Sequence, residues 1–252
     1  MGKKGGIRHL KRKPAPKKWG IERKQYTWIG KPSPGPHRMD QCITLTLVLR
    51  ELLGVAKTAK EAKTIVSQGK VHVDGKIRRD EYYPTGSMDI LTFPDSNLSY
   101  RVLPSPKGLI LHPVEKEEAS FKLCRIENKT TIRDGHVQLD LHDGTNILVR
   151  AADPKKRTED TYHVLDTLKV GLEGREIQGY MKLAKDMPVL TVGGKNVGKH
   201  GKIIEIEESK GQKRRDLLVT VEDKNGNHFQ TTMNFVFVVG AASPSISLPE
   251  VA

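Results

Sequence analysis

A chain of 252 residues, 36% hydrophobic and 29% charged, has enough apolar side chains for a core and is long enough for two or three small domains, which excludes a wholly disordered chain. No stretch approaches the ~18 consecutive apolar residues of a membrane span, and the N-terminus has no apolar signal segment, so a soluble cytoplasmic protein is expected. The formal net charge of +13 points to a polyanionic partner; Cys42 and Cys124, far apart and without a Cys-x-x-Cys or His-Cys motif, exclude a zinc ribbon or a secreted disulfide framework.

The charge is concentrated at the start. Residues 1–38 hold twelve Lys/Arg against one acid, Glu22, which leaves only +2 for the remaining 214 residues. Pro14, Pro16 and the glycines before them break the amphipathic helix of a mitochondrial transit peptide, so the stretch reads as a basic extended arm, ordered by a dense polyanion. Its candidate RNA contacts are Lys3, Lys4, Arg8, His9, Lys11, Arg12, Lys13, Lys17, Lys18, Trp19, Lys31, His37 and Arg38. Trp19, Tyr26 and Trp28 could anchor the arm on protein or on exposed bases, although 5% aromatic residues is thin for a protein that works mainly by base stacking.

Over residues 39–103 the first folded unit is expected. Leu45, Val48, Leu49, Leu52 and Leu53 recur at helical spacing, and a second helix starts at Thr58-Ala59-Lys60-Glu61, with capping-box spacing, and stops at Gly69. Lys70-Val71-His72-Val73, Asp74-Gly75 and Lys76-Ile77-Arg78 form a hairpin signal, followed by a strand from Met88 to Phe93. The segment from Ala62 to Lys76 resembles the S-four-type RNA-binding domain shared by bacterial ribosomal proteins, pseudouridine synthases and tyrosyl-tRNA synthetases. One departure is Ile43-Thr44-Leu45, where that domain often opens its first helix with Arg-Leu-Asp. The resemblance implies an RNA face on the helix pair and hairpin edge, with Lys57, Lys60, Lys63, Lys70, Lys76 and Arg78 as contacts beside Arg50 and Arg79.

Residues 104–187 read as small antiparallel β structure: Leu123 to Ile126, His136 to Leu141 and Ile147 to Arg150 run between turns at Asp134-Gly135 and Asp143-Gly144. The loop with Lys155, Lys156 and Arg157 reads as a solvated or RNA-edge connection. From residue 188 a strand, Pro188 to Val192, precedes Gly193-Gly194-Lys195-Asn196-Val197-Gly198-Lys199-His200, a near miss to a phosphate-cradling nucleotide loop. His200 stands where that loop needs a Ser/Thr hydroxyl, and Gly201 to Ile206 alternates like a strand rather than the required helix, so an ATPase is excluded.

Instead residues 188–240 resemble a KOW segment, a small SH3-like β-barrel of ribosomal proteins and transcription factors. Glycines 194, 198 and 201 would let a turn approach a sugar-phosphate backbone that Lys195, Asn196, Lys199, His200, Lys202 and the Lys213-Arg214-Arg215 cluster contact. The expected fold is therefore α+β multidomain: a basic arm (1–38), a helix-pair and hairpin RNA-binding domain (39–103), a β-rich central domain (104–187), a KOW barrel (188–240) and a tail (241–252). These parts in this order resemble the small-subunit ribosomal protein four family of archaea and eukaryotes, with His9-Leu10-Lys11-Arg12-Lys13, Gly35-Pro36-His37 and Ile246-Ser247-Leu248-Pro249 among the matching motifs. The basic C-terminal extension of eukaryotic members is missing, which implies an archaeal-type member.

The resemblance implies a structural constituent of the small ribosomal subunit that binds the 5′ region of ribosomal RNA, beside neighbouring ribosomal proteins and without cofactor, metal, membrane or small-molecule substrate. The alternatives are an RNA-modifying enzyme, for which Asp140, Asp143, Asp153 and Asp166 are the acids to weigh, and a KOW-type transcription or ribosome-assembly factor.

Overall fold

The computed structural model describes residues 9–150, 161–207 and 213–249. Lys3, Lys4, Arg8, Asp153 and the Lys155 to Arg157 loop lie outside them. The described residues divide into two compact units, one running to Leu103 and taking in Lys107–Pro113, the other made of Pro104–Pro106 and the chain from Val114 onward.

In the first unit β1 (Leu10–Lys11) pairs antiparallel with β2 (Trp28–Ile29), Leu10 opposite Ile29 and Lys11 opposite Trp28. Alternation along the strands sends Leu10 and Ile29 onto the apolar core and leaves Lys11 and Trp28 exposed. Between the two strands Ala15 and Trp19 enter the same core. The stretch from His9 to Arg38, expected as an extended arm, is therefore folded into this unit. Its charge made it look unable to bury anything, but its few apolar side chains join the core formed further along the chain by Ile43, Leu45, Leu47 and Val48.

Strand β3 (Cys42–Thr44) leads into α1 (Leu45–Leu47), which continues to Leu52 as a wider, π-helical turn closed by the Leu53 N–H donating to the Val48 carbonyl at 2.9 Å. Helix α2 (Ala59–Ser67) begins at the expected capping box: Glu61 N–H donates to Thr58 Oγ1 at 3.2 Å, and the Glu61 carboxylate accepts from the backbone of Lys57 at 2.8 Å and Thr58 at 3.4 Å. The Lys57 amide is the largest of the influences that hold the Glu61 carboxyl below its ordinary range. Strands β4 (His72–Val73) and β5 (Lys76–Ile77) form the expected hairpin, with φ of 49° at Asp74 and 72° at Gly75.

Strand β6 (Pro84–Gly86) pairs with β3, and β7 (Ile90–Phe93), β8 (Leu98–Ser105) and β9 (Gly108–Pro113) complete a five-stranded sheet in the order β5-β4-β7-β8-β9. The strand expected from Met88 starts instead at Ile90, because Met88 adopts a φ of 71° in a turn. At the start of β9 the arm passes so close to Gly108 that a Cβ there would lie 1.9 Å from the Lys18 carbonyl oxygen.

In the second unit β10 (Phe121–Thr131), β11 (Val137–Leu141), β12 (Asn146–Val149), β13 (Thr167–Gly171) and β14 (Ile177–Met181) form an antiparallel sheet in the order β12-β11-β10-β13-β14. Its core is Cys124, Ile126, Val137, Leu139, Leu141, Leu168 and Val170. A further antiparallel sheet follows from β15 (Pro188–Thr191), β16 (His200–Ile206), β17 (Leu218–Asp223), β18 (His228–Thr232) and β19 (Val236–Val238), in the order β18-β17-β16-β15-β19. Arg125 ties the two sheets together, one guanidinium nitrogen donating to the carbonyls of Asn234 at 2.7 Å and Val236 at 3.2 Å, while its Nε donates to Glu127 at 2.9 Å.

Candidate nucleic-acid interface

In the first unit α2 and the β4–β5 hairpin meet where Gly69 ends the helix: a Cβ at Gly69 would touch Ile77 at 3.1 Å and lie 3.8 Å from Arg79 Nε. Cations lie both along the helix and on the hairpin. Lys57, Lys60 and Lys63 are exposed along α2, and Lys70, Lys76 and Arg79 on the hairpin, whereas Arg78 is half-buried with its guanidinium 4.4 Å from the Tyr83 ring centre. Two of these lysines already face carboxylates at 3.3 Å, Lys63 the half-buried Glu81 and Lys70 the exposed Asp95, the latter in a pair of small energy.

From the N-terminal segment the exposed side chains are His9, Lys11, Lys13, Lys17, Lys18 and Arg38, with Lys31 half-buried; Arg38 faces Asp40 at 3.5 Å. Three candidate contacts of this segment are corrected. Trp19 is 2% exposed and belongs to the core. Arg12 is 1% exposed and donates to Glu51 at 2.6 Å and Gln25 at 3.1 Å, so its charge is spent inside the unit on a partner 39 residues away. The His37 side chain, also buried, places Nε2 2.9 Å from both oxygens of Asp89, its ring lying flush against Gly86, where a Cβ would come within 2.3 Å. Beside it Cys42 is pushed up to about 12 by burial, with Asp40 and Asp89 adding to the shift, so the thiol stays protonated.

In the second unit Lys195 and Lys202 are exposed, Lys199 is half-buried with its ammonium 5.2 Å from the Phe229 ring centre, and the Asn196 amide donates to the Gln230 carbonyl at 3.2 Å. The glycines around them approach protein, contrary to expectation. A Cβ at Gly193 would meet Phe235 at 2.6 Å, at Gly198 the Ser105 backbone and Pro106 at 2.9 Å, and at Gly201 the Glu222 carbonyl at 2.0 Å. In the basic cluster Lys213-Arg214-Arg215, Arg214 pairs with Asp166 at 3.3 Å and Arg215 with the Glu127 carboxylate at 3.3 Å, which leaves Lys213 as its exposed cation.

His200 is the fourth correction. It is 3% exposed, sits opposite Leu190 in the sheet, and neither ring nitrogen finds a protein partner. Burial, then the Lys224 charge, holds its pKa below the ordinary histidine value, with Asp223 opposing. In this situation the unfolded chain takes up a proton before the folded one does, so the stability His200 permits is complete above about pH 6.5 and falls as the solution is acidified. Replacing His200 with valine is expected to raise unfolding stability by about 1 to 2 kcal/mol near neutral pH and to flatten its decline between pH 6.5 and 5, measured by denaturant titration.

One cluster escapes the spacing of the sequence. Cys124, His142 and Asp143 bring possible metal-ligand atoms within 4.8 Å of one another. The protein engages them itself: Lys122 Nζ lies 3.1 Å from Asp143 Oδ2, and the Arg125 backbone N–H donates to His142 Nδ1 at 3.2 Å. An ammonium thus stands beside the carboxylate a metal would need, so the donor set does not fit a resident cation. A second group visible only in three dimensions is the exposed pair Tyr26 and Trp28 beside Lys11 and Arg50, whose sequence signal was aromatics directly following a basic run.

Family models match an RS4NT domain over residues 4–40, an S4 domain over 48–91 and the ribosomal family S4e over 96–177. The chain is 47% identical over 251 residues to the small ribosomal subunit protein eS4 of Staphylothermus marinus, covering 99% of each, and 43% identical over 252 residues to that of Methanocaldococcus jannaschii, covering 98% of this chain and all of the other. The crystal structure of the 30S ribosomal protein S4e from Thermoplasma acidophilum superposes with a TM-score of 0.65 at 28% identity, covering 81% of this chain and 97% of that one. With identity at this level running from end to end, the chain belongs to the S4e family of ribosomal proteins.

Proposed function

We propose that the protein is a structural constituent of the small ribosomal subunit that binds ribosomal RNA through the cationic face of its first unit and supports translation without catalysing a reaction. The observation that carries this reading is electrostatic. Among the described residues Lys11, Lys13, Lys17, Lys18, Lys60 and Lys76 are exposed and have no carboxylate at ion-pair distance, so their charge is available to phosphates. The relatives are small ribosomal subunit proteins, which points to the same particle. The last sheet is read as a KOW module whose exposed Lys195 and Lys202 add phosphate contacts, and the central sheet as its support, open to RNA or to neighbouring ribosomal proteins.

Lysine-reactivity footprinting of the free protein and of assembled small subunits tests this. Lys11, Lys13, Lys17, Lys18 and Lys60 are expected to react freely in isolation and to be protected in the particle, and the protein to stay with the subunit through a high-salt wash. Equal reactivity in both states, or release by the wash, contradicts a resident RNA-binding role.

A further inference from the structure

We propose that Tyr26 and Trp28 form a stacking platform that receives unpaired RNA bases, with Lys11 placed to neutralise the phosphate of the stacked nucleotide. This deepens the proposed ribosomal RNA binding and rests on it. The three aromatic residues of the segment divide cleanly: Trp19 fills the core, whereas Tyr26 and Trp28 are 59% and 58% exposed. Strand alternation enforces the outward display, since Leu10 and Ile29 take the inward positions of the same two-stranded ribbon.

Large exposed rings carry a hydration cost that folding does nothing to relieve, and here they are ringed by cations. Lys11 lies directly across from Trp28 with its ammonium 5.7 Å from the ring centre, and the His9 ring meets Trp28 edge-on at 5.8 Å. The guanidiniums of Arg12 and Arg50 lie 5.3 and 5.8 Å from the Tyr26 ring centre. The neighbouring acid, Glu51, accepts from both arginines, at 2.6 and 3.0 Å, and so presents little negative charge of its own. A surface of two π faces with positive charge within one side-chain length complements a single-stranded nucleotide, which offers a π face and a phosphate together. Paired RNA offers its phosphates but keeps its base faces stacked inside the helix.

The chain has two tryptophans, so fluorescence reports on the site: Trp19 is shielded and Trp28 is open. Full-length protein is titrated with a small-subunit ribosomal RNA fragment containing unpaired segments, with a single-stranded oligonucleotide and with a fully paired RNA duplex. Quenching is expected with the first two and not with the duplex, and is expected to vanish in Trp28→Phe, which keeps a stacking ring and near-wild-type affinity. Trp28→Ala is expected to bind the fragment roughly 5- to 150-fold more weakly with an unchanged salt slope, while Lys11→Ala reduces the slope by about one phosphate and leaves the quench.

Steep salt-dependent binding with no quench, and with wild-type affinity in Trp28→Ala, overturns the platform while leaving the RNA-binding reading intact. Absence of any binding by the wild type overturns both. Weakened retention of Trp28→Ala in assembled subunits, with unchanged affinity for the RNA fragment, assigns the surface to a protein neighbour and also overturns the proposal.

Discussion

Replacing Lys122 with alanine is expected to destabilise the second unit by about 3 to 5 kcal/mol, a drop of roughly 10 °C in its melting temperature, because it strands a buried carboxylate. Lys122 and Asp143 are both almost fully buried and face each other at 3.1 Å. Asp143 also accepts from the Thr145 backbone at 3.1 Å and from the Thr145 hydroxyl at 2.6 Å. Burial alone would push this carboxyl up, but the Lys122 ammonium, His142 and the two Thr145 hydrogen bonds outweigh it and hold the pKa at about 2.

The sign follows from that depression. An unfolded aspartate takes up its proton near pH 4 and the folded one only near pH 2, so the pair contributes fully above pH 4 and its contribution is lost on acidification through that window. In Lys122→Ala burial pushes the Asp143 carboxyl up towards or past its unfolded value, so the loss on acidification should shrink or reverse. The double variant Lys122→Met with Asp143→Asn, which keeps an acceptor for Thr145, is expected to recover more than half of the stability. Denaturant titrations at pH 7 and between pH 4 and pH 2 check both statements.

Asp166→Ala is expected to cost a similar amount, about 3 to 5 kcal/mol in denaturant unfolding, for a different reason. Asp166 is wholly buried where the chain enters β13. Its carboxylate accepts from the Leu183 backbone N–H at 2.9 Å, from Arg214 at 3.3 Å and from the Tyr180 hydroxyl. Tyr180 is accordingly pushed above the ordinary phenol range, by burial first and then by that bond. Removing the carboxylate orphans a buried amide, a phenol and a guanidinium that together bind the central sheet to the segment leading into β17. Asp166→Asn, which keeps one acceptor, and Tyr180→Phe, which removes one donor, should each cost less than half as much. Of the four acids weighed for an RNA-modifying enzyme, Asp143 and Asp166 are thus committed to internal partners.

Local signals were legible wherever the physics was local. The capping box at Thr58, the positive φ angles at Asp74-Gly75 and the strand after the glycine-rich turn could all be read from a few adjacent residues. Burial of charge could not. Arg12 looks like any other arm cation until Glu51 and Tyr26 are brought to it, and His37 looks like a turn residue until Asp89 arrives from 52 positions away. Glycines 198 and 201 were legible as sites of close approach, but the approaching backbone is the protein's own.

The same correction bears on how the N-terminal segment must be dissected. Removing residues 2–18 would take Leu10, Arg12 and Ala15 out of the folded core, so any loss of binding would confound folding with charge. Removing residues 2–8 takes away Lys3, Lys4 and Arg8 and spares that core.

The most direct measurement is the salt dependence of the affinity of the full chain, and of the chain lacking residues 2–8, for small-subunit ribosomal RNA. Each phosphate neutralised contributes roughly −0.7 to −0.9 to the slope of log K against log salt. A steep slope is expected for the full chain, corresponding to at least about five phosphates, and a slope shallower by about two units after truncation. A slope near zero in the full chain would contradict it.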